Sequence, residues 1–175
     1  PQGKTNPTSY NIESNSITLK NPEKTGYTFT GWSGTDLTGD NNTSVTIPSG
    51  STGNRTYEAH YSVVNYTITY NLDNGTTTNP GTYTVTTDDI TLSDATKAGY
   101  TFTGWTGTDL SGPTMSVTIP GGSIGNRSYE AHYEINKYTV TYMDEGVEYS
   151  SEEVNYHDTA TKPSTDPSKD GYGFI

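Results

Sequence analysis

Apolar and polar side chains alternate over short stretches along almost the whole chain. In residues 66–72 every second side chain is aromatic or aliphatic, and those between them are Thr or Asn. A period of two is typical of β-strands with one buried face. No window of eleven residues keeps the 3.6-residue period of a helix, and residues 93–99 have room for one helical turn at most. The pattern therefore predicts a mainly β protein with little helix.

Six short strands are predicted within one stretch of the chain, residues 65–136. Their predicted positions are 66–72, 83–85, 90–92, 100–105, 117–119 and 129–135. The first strand ends in Asp73, Asn74 and Gly75, a turn signal in which Asn-Gly favours positive φ angles. A unit of roughly 70 residues buries only a marginal core, so its stability also depends on packing between neighbours.

A long internal repetition organises these strands. The stretch GYTFTGWSGTDLTG at residues 26–39 returns as GYTFTGWTGTDLSG at residues 99–112, and both differences exchange Ser and Thr. The copying extends further, because VTIPSGSTGNRTYEAHY at residues 45–61 matches VTIPGGSIGNRSYEAHY at residues 117–133. The offset is 73 residues for the first match and 72 for the second. Such a period exceeds the roughly 20–50 residues of solenoid repeats and indicates tandem small domains.

A third copy begins with KYTVTYMDEG at position 137, which matches NYTITYNLDNG at position 65. We therefore predict three repeats. Repeat 1 is residues 1–64 and lacks its opening strand, repeat 2 is the complete residues 65–136, and repeat 3 is residues 137–175, which end before the Gly-Trp pair. Without its opening strand, repeat 1 is expected to have an exposed sheet edge, which can pair with another chain.

Composition narrows the classes of function. The net charge is −11 without any basic stripe, which argues against nucleic acid and anionic membranes as partners. No apolar run approaches the roughly 20 residues of a membrane span, so no membrane insertion is expected. Cysteine is absent, which excludes disulfides and cysteine nucleophiles. Hydrophobic residues are only 28% of the chain, but 15 tyrosines indicate a folded protein with small aromatic cores.

The motifs follow a recognisable order. A YTITYNL-type strand is followed by NP-x-x-Y-x-V, K-x-GYTFTGW, a polar loop and Y-x-A-x-Y. This order resembles the Listeria–Bacteroides repeat family, also called the internalin-type B-repeat. The resemblance implies tandem small β-grasp-like modules, similar to ubiquitin or SUMO, in a bacterial surface protein without catalytic residues. Asp144 stands at the position of the apolar Leu72, which suggests a different first hairpin in repeat 3.

Aromatic residues that recur in register are the first candidates for a site. Trp32 and Trp105 each follow a glycine. Their rings could form a platform for a sugar, or they could be the largest core side chains, with the glycine clearing space beside them. The core role is the expected one. Tyr27 and Tyr100, five residues ahead of each tryptophan, are candidates for the same packing or binding.

Charged residues that recur in register are the second set. Arg55 and Arg127 are the only arginines, and each could hold a carboxylate of its own or a neighbouring repeat, or bind an acidic glycan. The internal role is expected. Asp36 and Asp109 lie in Gly-rich loops without the spacing of a calcium loop, so each is expected to accept backbone hydrogen bonds within its turn.

Catalytic, cofactor and metal sites are not predicted. His60 and His132 lie two residues after a Glu, which allows chelation, but no other His recurs in register, and a solvated strand face is expected instead. Lys24 and Lys97 recur before Gly-Tyr, and an isopeptide crosslink to Asn is an alternative to their being exposed residues. The groups that the chain repeats are chiefly Gly, aromatic, Thr and turn residues, which are the residues of a scaffold.

These features lead to the hypothesis of a non-catalytic stalk or spacer in an adhesin-like protein, extracellular and at the bacterial cell surface. Its expected partners are neighbouring repeats of the same chain. The alternative is a binding module that uses repeated sites to gain avidity for host glycans or proteins. An exposed aromatic cluster at the same place in every repeat would distinguish the binding module from the stalk.

Overall fold

The computed structural model describes residues 5–173, and within them it contains strands, turns and loops but no helix. Residues 1–4 and 174–175, the predicted ends of repeats 1 and 3, lie outside the described residues. The strands are β1 (Ile17–Thr18), β2 (Tyr27–Gly34), β3 (Thr46–Ile47), β4 (Tyr57–Val63), β5 (Asn65–Asn71), β6 (Thr82–Thr84), β7 (Ile90–Thr91), β8 (Tyr100–Gly107), β9 (Thr118–Ile119), β10 (Arg127–Ile135), β11 (Lys137–Asp144) and β12 (Val147–Asn155).

Contacts divide the chain into two compact units, each assembled from separate segments. The first consists of Pro1–Thr67, Thr82–Ile90 and Ile119–Asn126, and the second of Ile68–Gly81, Thr91–Thr118 and Arg127–Ile175. Parts of repeat 2 contribute to both units. The repeat boundaries after residues 64 and 136 therefore stay a prediction.

Short antiparallel pairs make up the first compact unit. Strand β2 pairs with β4 along its length, and a bulge interrupts the register between Phe29 and Gly31. Strand β1 pairs with β3, and the start of β5 pairs with β6, which places Tyr66 opposite Tyr83. No strand of the described chain lies on the other edge of β4.

Strand β10 is the centre of the second compact unit. It pairs antiparallel with β8 over nearly its whole length, and Trp105 lies opposite Ala131. On its other side β10 pairs parallel with the second half of β5, from Arg127 opposite Ile68 to Glu130 opposite Asn71. The strand order in this sheet is β6-β5-β10-β8. The first and last strands of predicted repeat 2 are therefore parallel neighbours.

Most of the predicted local structure is present. All six strands predicted for residues 65–136 occur, with boundaries that move by a few residues, but residues 93–99 form no helical turn. In the turn after β5 the positive φ angles are at Asp73 and Asn74, one residue earlier than Asn-Gly suggests. The first hairpin of repeat 3 does differ, because β11 and β12 are joined by a two-residue turn, with Asp144 opposite Val147.

Small aromatic cores lie between the strands. In the first compact unit the buried cluster is Leu19, Trp32, Val45 and Ile47, with Phe29 and Tyr57 among the half-buried rings packed against it. In the second unit the buried side chains include Leu92, Trp105, Val117, Tyr129 and Ala131. Each core contains one tryptophan, packed with tyrosines and a few aliphatic side chains. None of the described residues belongs to a helix long and apolar enough to cross a membrane.

Candidate functional site

Both tryptophans lie inside the protein. Trp32 is 7% exposed and Trp105 is 0% exposed, and each makes an edge-to-face contact with the phenylalanine three residues before it. The preceding Gly31 has φ +153°, and a Cβ on it would lie 2.4 Å from the backbone of Asn41. The glycine therefore lets a loop approach the strand closely, and both indoles are largely buried.

The two indole N–H groups have different surroundings. Trp32 Nε1 donates to Asn21 Oδ1 at 3.0 Å, and the amide of Asn21 donates in turn to the carbonyl of Thr43 at 2.9 Å. Trp105 Nε1 is buried and has no hydrogen-bond partner among the described residues. The residue equivalent to Asn21 is Asp94, whose carboxylate cannot donate to a carbonyl. One indole is therefore paired and its copy is not.

Tyr27 and Tyr100 are half-buried and lie under lysines. Lys24 Nζ is 3.9 Å from the ring centroid of Tyr27, and Lys97 Nζ is 4.2 Å from that of Tyr100. Lys97 also pairs with Asp73 at 2.7 Å, and this hydrogen bond raises the pKa of Lys97. A lysine held as an ammonium is a poor nucleophile, so the geometry favours an ion pair over the isopeptide crosslink.

The same lysine arrangement recurs in repeat 3 but is incomplete in repeat 1. Lys169 pairs with Glu145 in the turn after β11, as Lys97 pairs with Asp73 in the turn after β5. Lys24 is the equivalent lysine of repeat 1, and within residues 5–173 no carboxylate lies within salt-bridge distance of it.

The arginines join two motifs that the sequence analysis treated separately. Arg55 donates to Asp36 at 2.6 Å and Arg127 to Asp109 at 2.7 Å. The expectation that these aspartates accept backbone hydrogen bonds in their own turns is wrong, because each carboxylate is directed to the arginine instead. The hydrogen bonds that Arg55 donates to Tyr57, and then to Tyr10 and Asp36, raise the pKa of Arg55.

The histidines are half-buried, so the solvated face expected for them is wrong in part. His60 Nε2 lies 2.6 Å from Ser33 Oγ, and His132 Nε2 lies 2.7 Å from Thr106 Oγ1. The Ser-to-Thr exchange between the copies thus keeps a hydroxyl beside each imidazole. Within the described part of the chain no carboxylate hydrogen-bonds either imidazole, and no group of three or more His, Asp or Glu could hold a metal.

An open groove lies along the free edge of β4. Its volume is about 530 Å³, and its floor includes Leu19, Trp32 and Ile47 from the core. One wall is the segment around Tyr10, and the other begins at Arg55, whose Nε donates to the Tyr10 hydroxyl at 3.1 Å. Sequence reasoning named Arg55 as a candidate residue but did not find Tyr10. The register between repeats 1 and 2 is the signal that could have found it.

The fold and these sites define a class: an all-β protein of tandem repeats with small aromatic cores. The model of the Listeria-Bacteroides repeat domain matches residues 66–124 and 138–175, and that of the Divergent InlB B-repeat domain matches residues 2–65. The chain belongs to the Listeria–Bacteroides repeat family. Such repeats are found in extracellular or surface proteins of bacteria and are generally non-catalytic. Neither the curated proteins nor the solved structures contain a match to this chain.

Proposed function

We propose that the chain is part of a non-catalytic stalk or spacer in an adhesin-like protein on the bacterial cell surface. The observation that carries this proposal is the parallel pairing of β5 with β10, the first and last strands of repeat 2. Tension along a tandem array enters a repeat at its first strand and leaves at its last. The cell-wall-anchored parent protein is part of the same proposal.

Parallel neighbours are loaded in shear by such tension. A pull on the start of β5 and on the end of β10 slides the two strands past each other, so their hydrogen bonds carry the load together. Antiparallel neighbours that are both pulled from the same end of the pair would instead separate one hydrogen bond at a time. The geometry of repeat 2 therefore favours resistance to force, which a stalk requires.

The connections between repeats are short. A single residue, Val64, separates β4 from β5, and Asn136 alone separates β10 from β11. Val64 donates its N–H to the carbonyl of Gly26, and Asn136 donates to the equivalent Gly99, both at 2.9 Å. Both connectors are one residue long and make the same backbone hydrogen bond. This supports a spacer in which force passes directly from one repeat to the next, because there is no flexible linker to extend.

The junctions are also packed closely. A Cβ on Gly26 would lie 2.5 Å from the side chain of Val85, and one on Gly99 would lie 1.8 Å from the ring of Tyr156. Both glycines have φ near +77°, a conformation that other residues seldom adopt (+78° and +76°). Because it has no side chain, each glycine allows a residue of the next repeat to pack against it: Val85 packs against Gly26, and Tyr156 packs against Gly99.

We extend the proposal to the fold. Placing the first and last strands side by side and parallel in the sheet supports a β-grasp-like module. The described residues have no helix crossing that sheet, so the relation proposed is one of strand order.

Single-molecule pulling tests the stalk function directly. The native chain has no cysteine, so a pair of engineered cysteines provides unique handles. Handles at Val64 and Asn136 load β5 and β10 in shear, whereas handles at Val64 and Ile124 pull on the adjacent starts of the two strands and unzip them. We expect a higher unfolding force for the shear pair. Equal forces for the two pairs would contradict the proposal.

The binding alternative receives no specific support from the described residues. The exposed aromatic side chains are Tyr138, Tyr149 and Tyr172, all in repeat 3. Their equivalents Tyr66 and Tyr100 are half-buried in repeat 2. An aromatic cluster exposed at the same place in every repeat is therefore not present among residues 5–173.

A further inference from the structure

We propose that Asn74, in the turn after β5, is a site of spontaneous covalent modification whose rate the fold controls. Its side-chain amide is converted to a carboxylate by the backbone nitrogen of the next residue, Gly75, and by water. The rate depends on how often the turn opens. This inference goes beyond the stalk function and does not depend on it.

The residue after Asn74 favours this reaction. Asn74-Gly75 is the only Asn-Gly pair among the 175 residues. In the first step the backbone nitrogen of Gly75 bonds to Cγ of Asn74, ammonia leaves, and a five-membered succinimide ring forms. A side chain on the following residue would crowd the attacking nitrogen, whereas glycine has none and its backbone adapts to the ring.

Water then opens the ring at one of its two carbonyl groups. Opening at Cγ gives aspartate. Opening at the backbone carbonyl gives isoaspartate, in which the main chain runs through Cβ and Cγ and is one carbon atom longer. In both cases an amide and water become a carboxylate and ammonium, so the reaction balances without an oxidant or a reductant.

The side chain of Asn74 is free to react. It is exposed and makes no hydrogen bond within the described residues. Asparagine side chains in turns and loops often bond to nearby backbone groups. Asn42 and Asn79 do so here, because their side-chain amides donate to the carbonyls of Trp32 and Ser93, both at 2.9 Å. No such bond restrains the amide of Asn74.

The attacking nitrogen is restrained by the turn. Residues 72–75 have the pattern of a type I′ turn, with φ +43° at Asp73 and +64° at Asn74. The N–H of Gly75 donates to the carbonyl of Leu72 at 2.7 Å. This nitrogen cannot lose its proton and reach Cγ while it keeps that hydrogen bond. The reaction therefore requires the turn to open.

Contacts on both sides of Asn74 oppose this opening. On one side Asp73 pairs with Lys97 at 2.7 Å. On the other side Thr76 and Thr96 exchange two backbone hydrogen bonds, at 2.8 and 2.9 Å. The ion pair is the contact that a single surface substitution can remove, so it is the means of testing whether the turn sets the rate.

Repeat 3 already has a carboxylate at the equivalent position. Glu145 directly precedes Gly146, as Asn74 directly precedes Gly75, and it pairs with Lys169. Conversion of Asn74 to aspartate thus gives repeat 2 a carboxylate where repeat 3 has one. Glu145 has no amide to release as ammonia, so repeat 3 is an internal control.

The test is incubation of the whole chain at neutral pH, in buffer and in concentrated urea. Mass spectrometry of proteolytic fragments measures the conversion of each asparagine, and chromatography separates aspartate from isoaspartate. In urea we expect Asn74 to convert faster than any other asparagine. In the folded chain its conversion should be at least about tenfold slower than in urea, because the turn must first open. Asn74→Asp, which has no amide at this position, should release correspondingly less ammonia.

The ion pair gives a second readout. Lys97→Gln should speed the conversion of Asn74 in the folded chain about two- to fivefold, as expected for loss of an exposed pair, and should leave the rate in urea unchanged. Lys169→Gln breaks the equivalent pair of repeat 3 and is the matched control, with no change expected at Asn74. Circular dichroism establishes whether both variants are folded.

Wild type alone supplies a measurement that needs no variant. Urea concentrations below the unfolding transition should raise the hydrogen exchange of the Gly75 amide and the conversion of Asn74 together, since both require the hydrogen bond to Leu72 to open.

Three results would overturn the proposal. The first is conversion in urea that is no faster at Asn74 than at other asparagines. The second is an equal rate in the folded and the unfolded chain, since the turn would then not control the reaction. The third is a folded Lys97→Gln chain that converts at the wild-type rate, or an equal increase in Lys169→Gln.

Discussion

Replacing Asp94 by Asn should stabilise repeat 2 because it gives the indole of Trp105 a partner. Trp105 is 0% exposed and its Nε1 has no hydrogen-bond partner among the described residues. In repeat 1 the equivalent Asn21 accepts from Trp32 and donates to the carbonyl of Thr43. An asparagine can satisfy the N–H and the carbonyl together, whereas an aspartate next to a carbonyl oxygen is repelled.

The expected gain follows from the price of a buried donor without a partner. Leaving such a donor unpaired costs about 1–3 kcal/mol, and a completed hydrogen bond contributes about 0.5–1.5 kcal/mol net. We expect Asp94→Asn to stabilise repeat 2 by about 1 kcal/mol. For a unit of this size that corresponds to a rise in Tm of about 4–8 °C.

Urea unfolding measures this change in one repeat at a time. In a Trp32→Phe background the fluorescence of Trp105 reports on repeat 2 alone. Asp88→Asn is the matched control, because Asp88 is exposed and the substitution removes the same charge from a chain of net charge −11. Asp94→Ala removes the charge without supplying a partner. If Asp94→Asn is no more stable than either control, the unpaired indole is not a source of instability.

Three further substitutions test other parts of the structure. Gly99→Val should loosen the junction between repeats 2 and 3, because a Cβ at this position collides with the ring of Tyr156. Small-angle X-ray scattering should then show a broader distribution of interatomic distances for the variant than for wild type. Asp109→Asn should destabilise by under about 1 kcal/mol in thermal unfolding, since the ion pair it breaks is largely exposed on the aspartate side. Acid should loosen repeat 3 at Glu152, whose pKa is lowered from its ordinary 4.5 chiefly by the hydrogen bond from the Thr161 hydroxyl. The stabilisation is present above pH 4.5 and is lost as the pH falls through the lowered value. The protection factor of the Thr161 amide, which is its intrinsic exchange rate divided by its observed rate, should therefore fall there in wild type and be independent of pH in Glu152→Gln.

Alternation and repetition predicted which residues form strands but not which strands are neighbours. The period-two pattern of residues 66–72 places their apolar side chains on one face, and that face is buried at Ile68. Nothing in the pattern distinguishes an antiparallel from a parallel neighbour, so the pairing of β5 with β10 could not be predicted. The family resemblance implied such a fold without fixing the strand order.

The polar contacts were harder to predict because their partners are far apart in sequence. Arg127 and Asp109 are both repeated, and recurrence of both in register could have suggested their pairing. His132 lies opposite Gly104, and Thr106 lies two residues further along β8, so their hydrogen bond joins a diagonal pair across the two strands. The sequence does not specify the register that brings this pair together.

The lysine–acid pair explains how a repeat selects the register of its opening strand. A slip of one residue between β5 and β10 would turn Ile68 out of the core, so the register must be specified. Asp73 lies two residues beyond the end of β5, and its contact with Lys97 favours the observed register. Repeat 3 has a shorter turn and a glutamate in place of aspartate, yet Glu145 still meets its lysine. That the pair persists while the turn changes argues that it fixes the strand end rather than the turn.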